Sequence, residues 1–208
     1  MLSTYDFYEQ PLISLKGPSY VLLAFQAATQ AVKDNNLKVK LVYNDYNIES
    51  PNAKTNATLA LVKQIKAAGF QIDQVGFESH FIVGESPSKA QIVQNIQSFA
   101  AVGVDVIITE LDVRTVTPPS AAIQTQQVVD YYNTVAACVA AKGTSSNKGC
   151  LGAVVWDFDD TYSWIPQTFA GQGYGDLFLQ PGGANTTLVK KAAYDGVLEA
   201  LTGAAEAI

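Results

Sequence analysis

Thr109-Glu-Leu-Asp112 sets two carboxylates two residues apart at the end of an apolar run. If that run is a strand, both side chains point to one face of its sheet. Carboxylates that close perturb one another's titration, so one can act as a nucleophile while the other orients a partner. The competing reading is a pair of solvated loop acids. His80, the single histidine of the chain, closes another apolar run in Gly76-Phe-Glu-Ser-His80. Alone at a strand end it would read as a satisfied structural residue. Beside Glu110 and Asp112 on a neighbouring strand, its imidazole would keep a nucleophile ionised and fixed in orientation. A metal centre would want a third good ligand and usually a second histidine, so no metal and no other cofactor is expected.

Trp156 and Trp164, the only tryptophans, flank Asp-Phe-Asp-Asp-Thr-Tyr-Ser. Core packing is the ordinary use of Trp. A loop with two indoles, a Tyr and three Asp also suits a sugar site, where flat rings cover the C–H faces of pyranoses and carboxylates take the hydroxyls.

These residues need elements that hold them. Apolar runs at 41–47, 75–81, 104–112 and 152–158 read as strands that release their polar residues at the C-terminal end. Between them run helical periodicities. Ile92, Val93, Ile96, Phe99 and Ala100 mark one face of a helix that opens with the capping box Ser88-Lys-Ala-Gln91 and stops at Gly103. Leu59, Val62 and Ile65 mark another over 56–69, and longer helices are expected over 19–32, 121–141 and 187–201. Strand alternating with helix gives an α/β fold with parallel strands, and the chemical face lies at the strands' C-terminal ends. No glycine-rich phosphate loop follows any strand, which disfavours a nucleotide-binding sheet and favours part of a barrel.

The chain of 208 residues is 48% hydrophobic and 15% charged, enough apolar surface for one folded domain. Its net charge of −6, without any run of Lys or Arg, makes nucleic acid and anionic membrane poor partners, while a neutral polysaccharide makes no electrostatic demand. The segment between Cys138 and Cys150 is polar and contains glycine, so it could fold back to allow a disulfide. Such a bridge would contribute roughly 2 to 3 kcal/mol and imply an oxidising compartment; two unpaired buried thiols are the alternative. The sequons at Asn56 and Asn185 fit a secreted protein. The first ten residues lack the basic start and apolar run of a signal peptide.

Asn44-Asp-Tyr-Asn47, Glu78-Ser-His80, Thr109-Glu-Leu-Asp112 and the stretch from Trp156 to Trp164-Ile-Pro166 resemble, in order and spacing, strands five to eight of glycoside hydrolase family 10, the retaining endo-β-1,4-xylanases. Tyr20-Val-Leu-Leu-Ala-Phe25 resembles the helix before strand five, and Lys191-Ala-Ala-Tyr194 the terminal helix, so the similarity extends over essentially the whole chain. The resemblance implies the C-terminal half of a (β/α)8 TIM barrel over residues 1–208. It implies Glu110 as nucleophile, supported by His80 and Asp112. It places Asn44, Tyr46, Glu78, Trp156 and Trp164 around the sugar subsites and pairs Cys138 with Cys150. It also implies a secreted, extracellular enzyme acting on xylan or xylo-oligosaccharides.

Two positions depart from the commoner family pattern: Glu78 stands where Gln is usual, and Asp157 follows Trp156 where Gly is usual. The family's acid/base glutamate lies in an Asn-Glu pair at the end of strand four, and these residues contain no Asn-Glu dipeptide. Strands one to four are likewise unmatched. The expectation is therefore a chain that carries the nucleophile, is weak or inactive alone, and self-associates through open barrel edges. The alternatives are a non-catalytic carbohydrate-binding remnant and another two-carboxylate barrel glycosidase.

Overall fold

The computed structural model describes residues 19–203. Helix α1 (Tyr20–Asp34) buries Val21, Phe25 and Thr29, four residues apart, and leads into strand β1 (Val42–Asp45). Helix α2 (Ala53–Ala67) starts where the Asn52 side chain accepts the Thr55 N–H, and its inward stripe is Thr55, Thr58, Val62 and Ile65. Strands β2 (Gln74–Phe77) and β3 (His80–Ile82) follow, separated by Glu78 and Ser79. Helix α3 (Lys89–Ala101) opens with the capping box at Ser88 and Gln91, and Gly103 beyond its end takes a φ of 84°. Strand β4 (Asp105–Val116) is followed by helix α4 (Ala121–Ala140), N-capped by Ser120, and then by strand β5 (Cys150–Val155). The chain ends in a short helix α5 (Ile165–Thr168), strands β6 (Gln172–Gly173), β7 (Phe178–Leu179) and β8 (Val189–Lys190), and helix α6 (Ala192–Thr202).

β1, β2, β4 and β5 lie side by side in chain order, all parallel, with Asn44 opposite Gly76 and Gly76 opposite Ile107. Parallel neighbours require crossover connections, and α2, α3 and α4 supply them. The core between wall and helices holds Val62, Ile65, Phe77, Ile96 and Phe99, all at 0% exposure. Phe77 of β2 and Phe99 of α3 meet edge to face at 5.5 Å between centroids. Tyr131 of α4 is fully buried and donates its hydroxyl to the Gly175 carbonyl at 2.6 Å, tying the C-terminal segment to the helix layer. This is α/β architecture forming part of a TIM barrel wall.

Cys138 and Cys150 form a disulfide, joining the end of α4 to the start of β5. Among the described residues, β1 pairs only with β2 in the wall and β5 only with β4, apart from a bridge of Cys150 to Lys142, so no further strand covers either outer edge. The apolar side chains there are uncovered, with Leu151 at 50% and Val154 at 49% exposure. No helix of the described residues is long and apolar enough to cross a membrane. Asn185 lies exposed in a loop, whereas Asn56 lies exposed on α2 with its partner Thr58 buried and bonded to the Lys54 carbonyl.

Four expectations are corrected. The helix expected over 187–201 begins only at Ala192, because Val189–Lys190 pairs with Phe178–Leu179 and the Lys191 ammonium is buried on Asp160 (2.7 Å) and the Tyr174 carbonyl (2.9 Å). The helix expected from 56 starts at Ala53, since Asn52 provides the cap. The third strand does not stop at Asp112 but runs to Val116, held by β3 and β6 on either side of its distal part. The last strand runs Cys150–Val155, so Trp156 and Phe158 lie beyond it. The absent signal-peptide pattern of the first ten residues falls outside the described residues.

Candidate active site

Asn44 near the end of β1, Glu78 just beyond β2 and Glu110 midway along β4 meet at one point. Asn44 of β1 donates its amide N–H groups to Glu110 Oε1 (2.9 Å) and Glu78 Oε1 (3.2 Å), while its own carbonyl accepts the Thr109 hydroxyl at 2.6 Å. The amide fits because residue 76 is glycine: a β-carbon there would collide with it. Main-chain bonds set the heights of the carboxylates, with the Glu78 N–H donating to the Asp45 carbonyl and the Glu110 N–H to the Glu78 carbonyl, each at 3.1 Å.

Ser79 takes a left-handed φ of 63°, which breaks the strand between β2 and β3. Its N–H donates to the buried Glu49 carboxylate at 2.8 Å, and this long-range bond holds the break in place. Beyond it, the β3–β4 register sets His80 opposite Asp112. Asp112 is fully buried, and one oxygen serves two groups: His80 Nδ1 at 2.8 Å and the Trp164 indole N–H at 2.7 Å. The imidazole is thereby aimed so that Nε2 lies 3.4 Å from Glu110 Oε2 and 4.0 Å from Glu78 Oε2. The Trp164 ring packs edge-on against it at 4.8 Å.

These groups open into a cavity of about 590 Å³ that takes in Tyr46, Glu78, His80, Glu110, Trp156 and Trp164. Six of the eight cavity and support residues expected from the sequence thus line it. The other two stand behind, Asn44 bonded to Glu110 and Asp112 bonded to His80. Asn47, Arg114 and Phe169 line it as well and were not foreseen. Arg114 was findable, because it continues the alternation 110, 112, 114 along β4. Its guanidinium lies 4.0 Å over the Phe169 ring and its Nε donates to Gln172. Phe169 carries no local signal; it arrives through α5 and packs on Trp164 at 5.6 Å. On the β1 side the Lys54 ammonium sits 3.6 Å over the Tyr46 ring and 2.7 Å from Asp45.

Burial, and then the charge of Glu110, push Glu78 up to about 7. Burial works to lower His80, but the hydrogen bond and charge of Asp112, with the charges of Glu78 and Glu110, outweigh it and raise the imidazole above its ordinary value. Atoms of Glu78, His80 and Glu110 fall within 4.8 Å of one another, close enough for a cation or for carboxyls sharing protons. Asn44 already donates to both carboxylates and Asp112 takes up His80 Nδ1, and no metal is assigned. Glu78 and Glu110 are bridged from the same side by Asn44.

The family model for Glycosyl hydrolase family 10 matches residues 4–200. The chain is 48% identical over 185 residues to endo-1,4-beta-xylanase D of Talaromyces funiculosus, covering 89% of this chain and 42% of that protein. It is 44% identical over 181 residues to endo-1,4-beta-xylanase A of Phanerodontia chrysosporium, covering 87% and 40%. Among solved structures, the GH10 xylanase from Bispora sp. MEY-1 with xylobiose matches with a TM-score of 0.85 and 57% identity, over 90% of this chain and 55% of that one. XylE, an endo-1,4-beta-xylanase of Penicillium canescens, matches with a TM-score of 0.83 and 46% identity, over 92% and 55%. The chain spans about half the length of these relatives, roughly their C-terminal half.

Proposed function

The chain belongs to glycosyl hydrolase family 10, and on that premise we propose that it supplies the nucleophile side of a retaining endo-β-1,4-xylanase site acting on xylan or xylo-oligosaccharides. The supporting observation is the aim of Glu110 into the aromatic cavity, held by Asn44 on one oxygen and faced by His80 on the other, with Asp112 behind. Glu110 attacks the anomeric carbon to give a glycosyl-enzyme, the bond to the leaving oxygen breaks, and water later releases the sugar with net retention. His80 and Asp112 fix the carboxylate's direction; Tyr46, Glu78, Trp156 and Trp164 shape the sugar subsites.

Residues 1–208 act in this reading as strands five to eight of one barrel domain. The general acid that protonates the leaving oxygen is not supplied by them, which typically costs about 10² to 10⁴-fold, or roughly 3 to 5 kcal/mol of barrier. Xylan cleavage by the 208-residue chain is therefore weak or absent. The disulfide and the family point to a secreted, extracellular protein.

A substrate that needs no acid tests this directly. A 2-fluoro-xylobioside with a dinitrophenyl leaving group should label the chain with one equivalent of sugar on the peptide containing Glu110, and Glu110→Gln should abolish the labelling. Labelling elsewhere, or none with a chain that still binds xylohexaose, would instead favour the non-catalytic binding remnant. That second reading draws on Trp156 in the cavity wall, 42% exposed, and on Phe158 and Tyr162 of the same loop, 59% and 54% exposed.

A further inference from the structure

We infer that Glu78 and Glu110 work as a coupled pair in which Glu78 holds the proton and Glu110 carries the charge, so that Glu78 is a positioning residue presenting an O–H donor beside the nucleophile. The geometry distinguishes the two carboxyls. Both accept from the Asn44 amide and both lie near His80 Nε2, and Glu110 is nearer to each: 2.9 against 3.2 Å for the Asn44 amide, and 3.4 against 4.0 Å for His80 Nε2. The negative charge settles where donors are closest, and the proton on the carboxyl they reach less well.

Counting charges around the imidazole leads the same way. Asp112, Glu110 and Glu78 all approach His80, and a doubly protonated imidazole answers only one of them. From β1 and its loop, Asp45 and the buried Glu49 add negative charge facing Glu78. The Lys54 ammonium on that side is already committed to Asp45 at 2.7 Å, and the Tyr43 hydroxyl donates to Asp45 as well. On β4, Arg114 lines the cavity but is engaged over Phe169 and with Gln172. Two like charges linked through one amide cannot both persist cheaply in a half-buried site. The upward displacement of Glu78 to about 7, caused by burial and then by Glu110, agrees with this placement.

The consequence is a site with its own alkaline limit. Below neutrality Glu78 donates a hydrogen bond within the cavity; above it, Glu78 becomes a second anion beside Glu110 and loses that donor. The inference deepens the reading of Glu110 as nucleophile and takes its functional meaning from it, but its test follows protonation and not turnover, so the two fail separately.

The experiment is a pH titration of the 208-residue chain by NMR, with glutamate labelled with ¹³C at its side-chain carboxyl and the Glu78 signal assigned by its loss in Glu78→Gln. The expected midpoint for Glu78 lies near pH 7 and falls in Glu110→Gln, where the neighbouring charge is gone. His80, the one histidine of the chain, reports independently: its native curve has two steps, and Glu78→Gln leaves one, at lower pH. A Glu78 midpoint below about 5, in the ordinary glutamate range, overturns the inference. So does a neutral-range signal that survives Glu78→Gln and disappears in Glu110→Gln. Should Glu78→Gln not fold, the native His80 curve decides, since a single step there also overturns it.

Discussion

His80 stands opposite Asp112 across the β3–β4 pair, and the register of the two strands brings Nδ1 to 2.8 Å from the Asp112 carboxylate. The contact is thus built into the backbone pairing, with the Trp164 indole closing the same oxygen from the loop beyond β5. A substitution at Asp112 should be felt first in the titration of His80.

Replacing Asp112 by Asn removes the hydrogen-bonded charge that outweighs burial, so the His80 midpoint should fall. The half-buried Trp164 and His80 donors would share a poorer acceptor at the buried position 112, and the chain should lose on the order of 1–3 kcal/mol of stability. Histidine NMR and urea unfolding of Asp112→Asn read both effects; an unchanged His80 midpoint would contradict the assigned support role.

Stability should decline from mildly acid to alkaline pH. Asp176 is fully buried, neither of its oxygens has a hydrogen-bond partner among the described residues, and burial followed by the charge of Asp160 pushes it up to about 8. A carboxyl raised from 3.8 favours folding fully below that value and loses this contribution as pH climbs through about 8. Glu78, raised from 4.5 to about 7, has the same sign. His80, raised above 6.5, adds a contribution that is complete below 6.5 and lost above its folded value. Melting midpoints should therefore be higher at about pH 5 than at about pH 8.5. Asp176→Asn should gain about 1–3 kcal/mol at the alkaline end and little at the acid end. A variant as alkali-sensitive as the native chain would show that another group is responsible.

Removing the Cys138–Cys150 bridge frees the loop between α4 and β5 in the unfolded chain. The paired Ser variants should lose roughly 2 to 3 kcal/mol in chemical denaturation, and reductant should reproduce the loss in the native chain but not in the variant.

Among the described residues the outer edges of β1 and, beyond the Cys150 bridge to Lys142, of β5 carry no further strand, and Leu151 and Val154 of β5 are exposed apolar side chains. Sedimentation at two concentrations should show the apparent mass rising, and Val154→Lys, at a site 49% exposed, should reduce the rise without lowering the unfolding midpoint by more than about 0.5 kcal/mol. A monomer at both concentrations would count against self-association through these edges.

The sequence by itself determined the α/β alternation, the capping box at Ser88, and the placing of Glu110, Asp112 and His80 at strand ends and of Trp156 and Trp164 around one polar loop. Those features follow from neighbouring residues: strand alternation, helical periodicity and a residue type at a strand's end. Tertiary structure alone decided the start of α6, because burying the Lys191 ammonium on Asp160 outweighs the local helical pattern over 187–191. It also decided the full length of β4 and the arrival of Phe169 and Asn47 in the cavity. The pairing of Glu78 with Glu110 belongs here too, since the Asn44 amide that joins them reaches across 34 residues to one and 66 to the other. Local preference is additive along the chain, whereas strand register and shared hydrogen bonds exist only once distant segments have met.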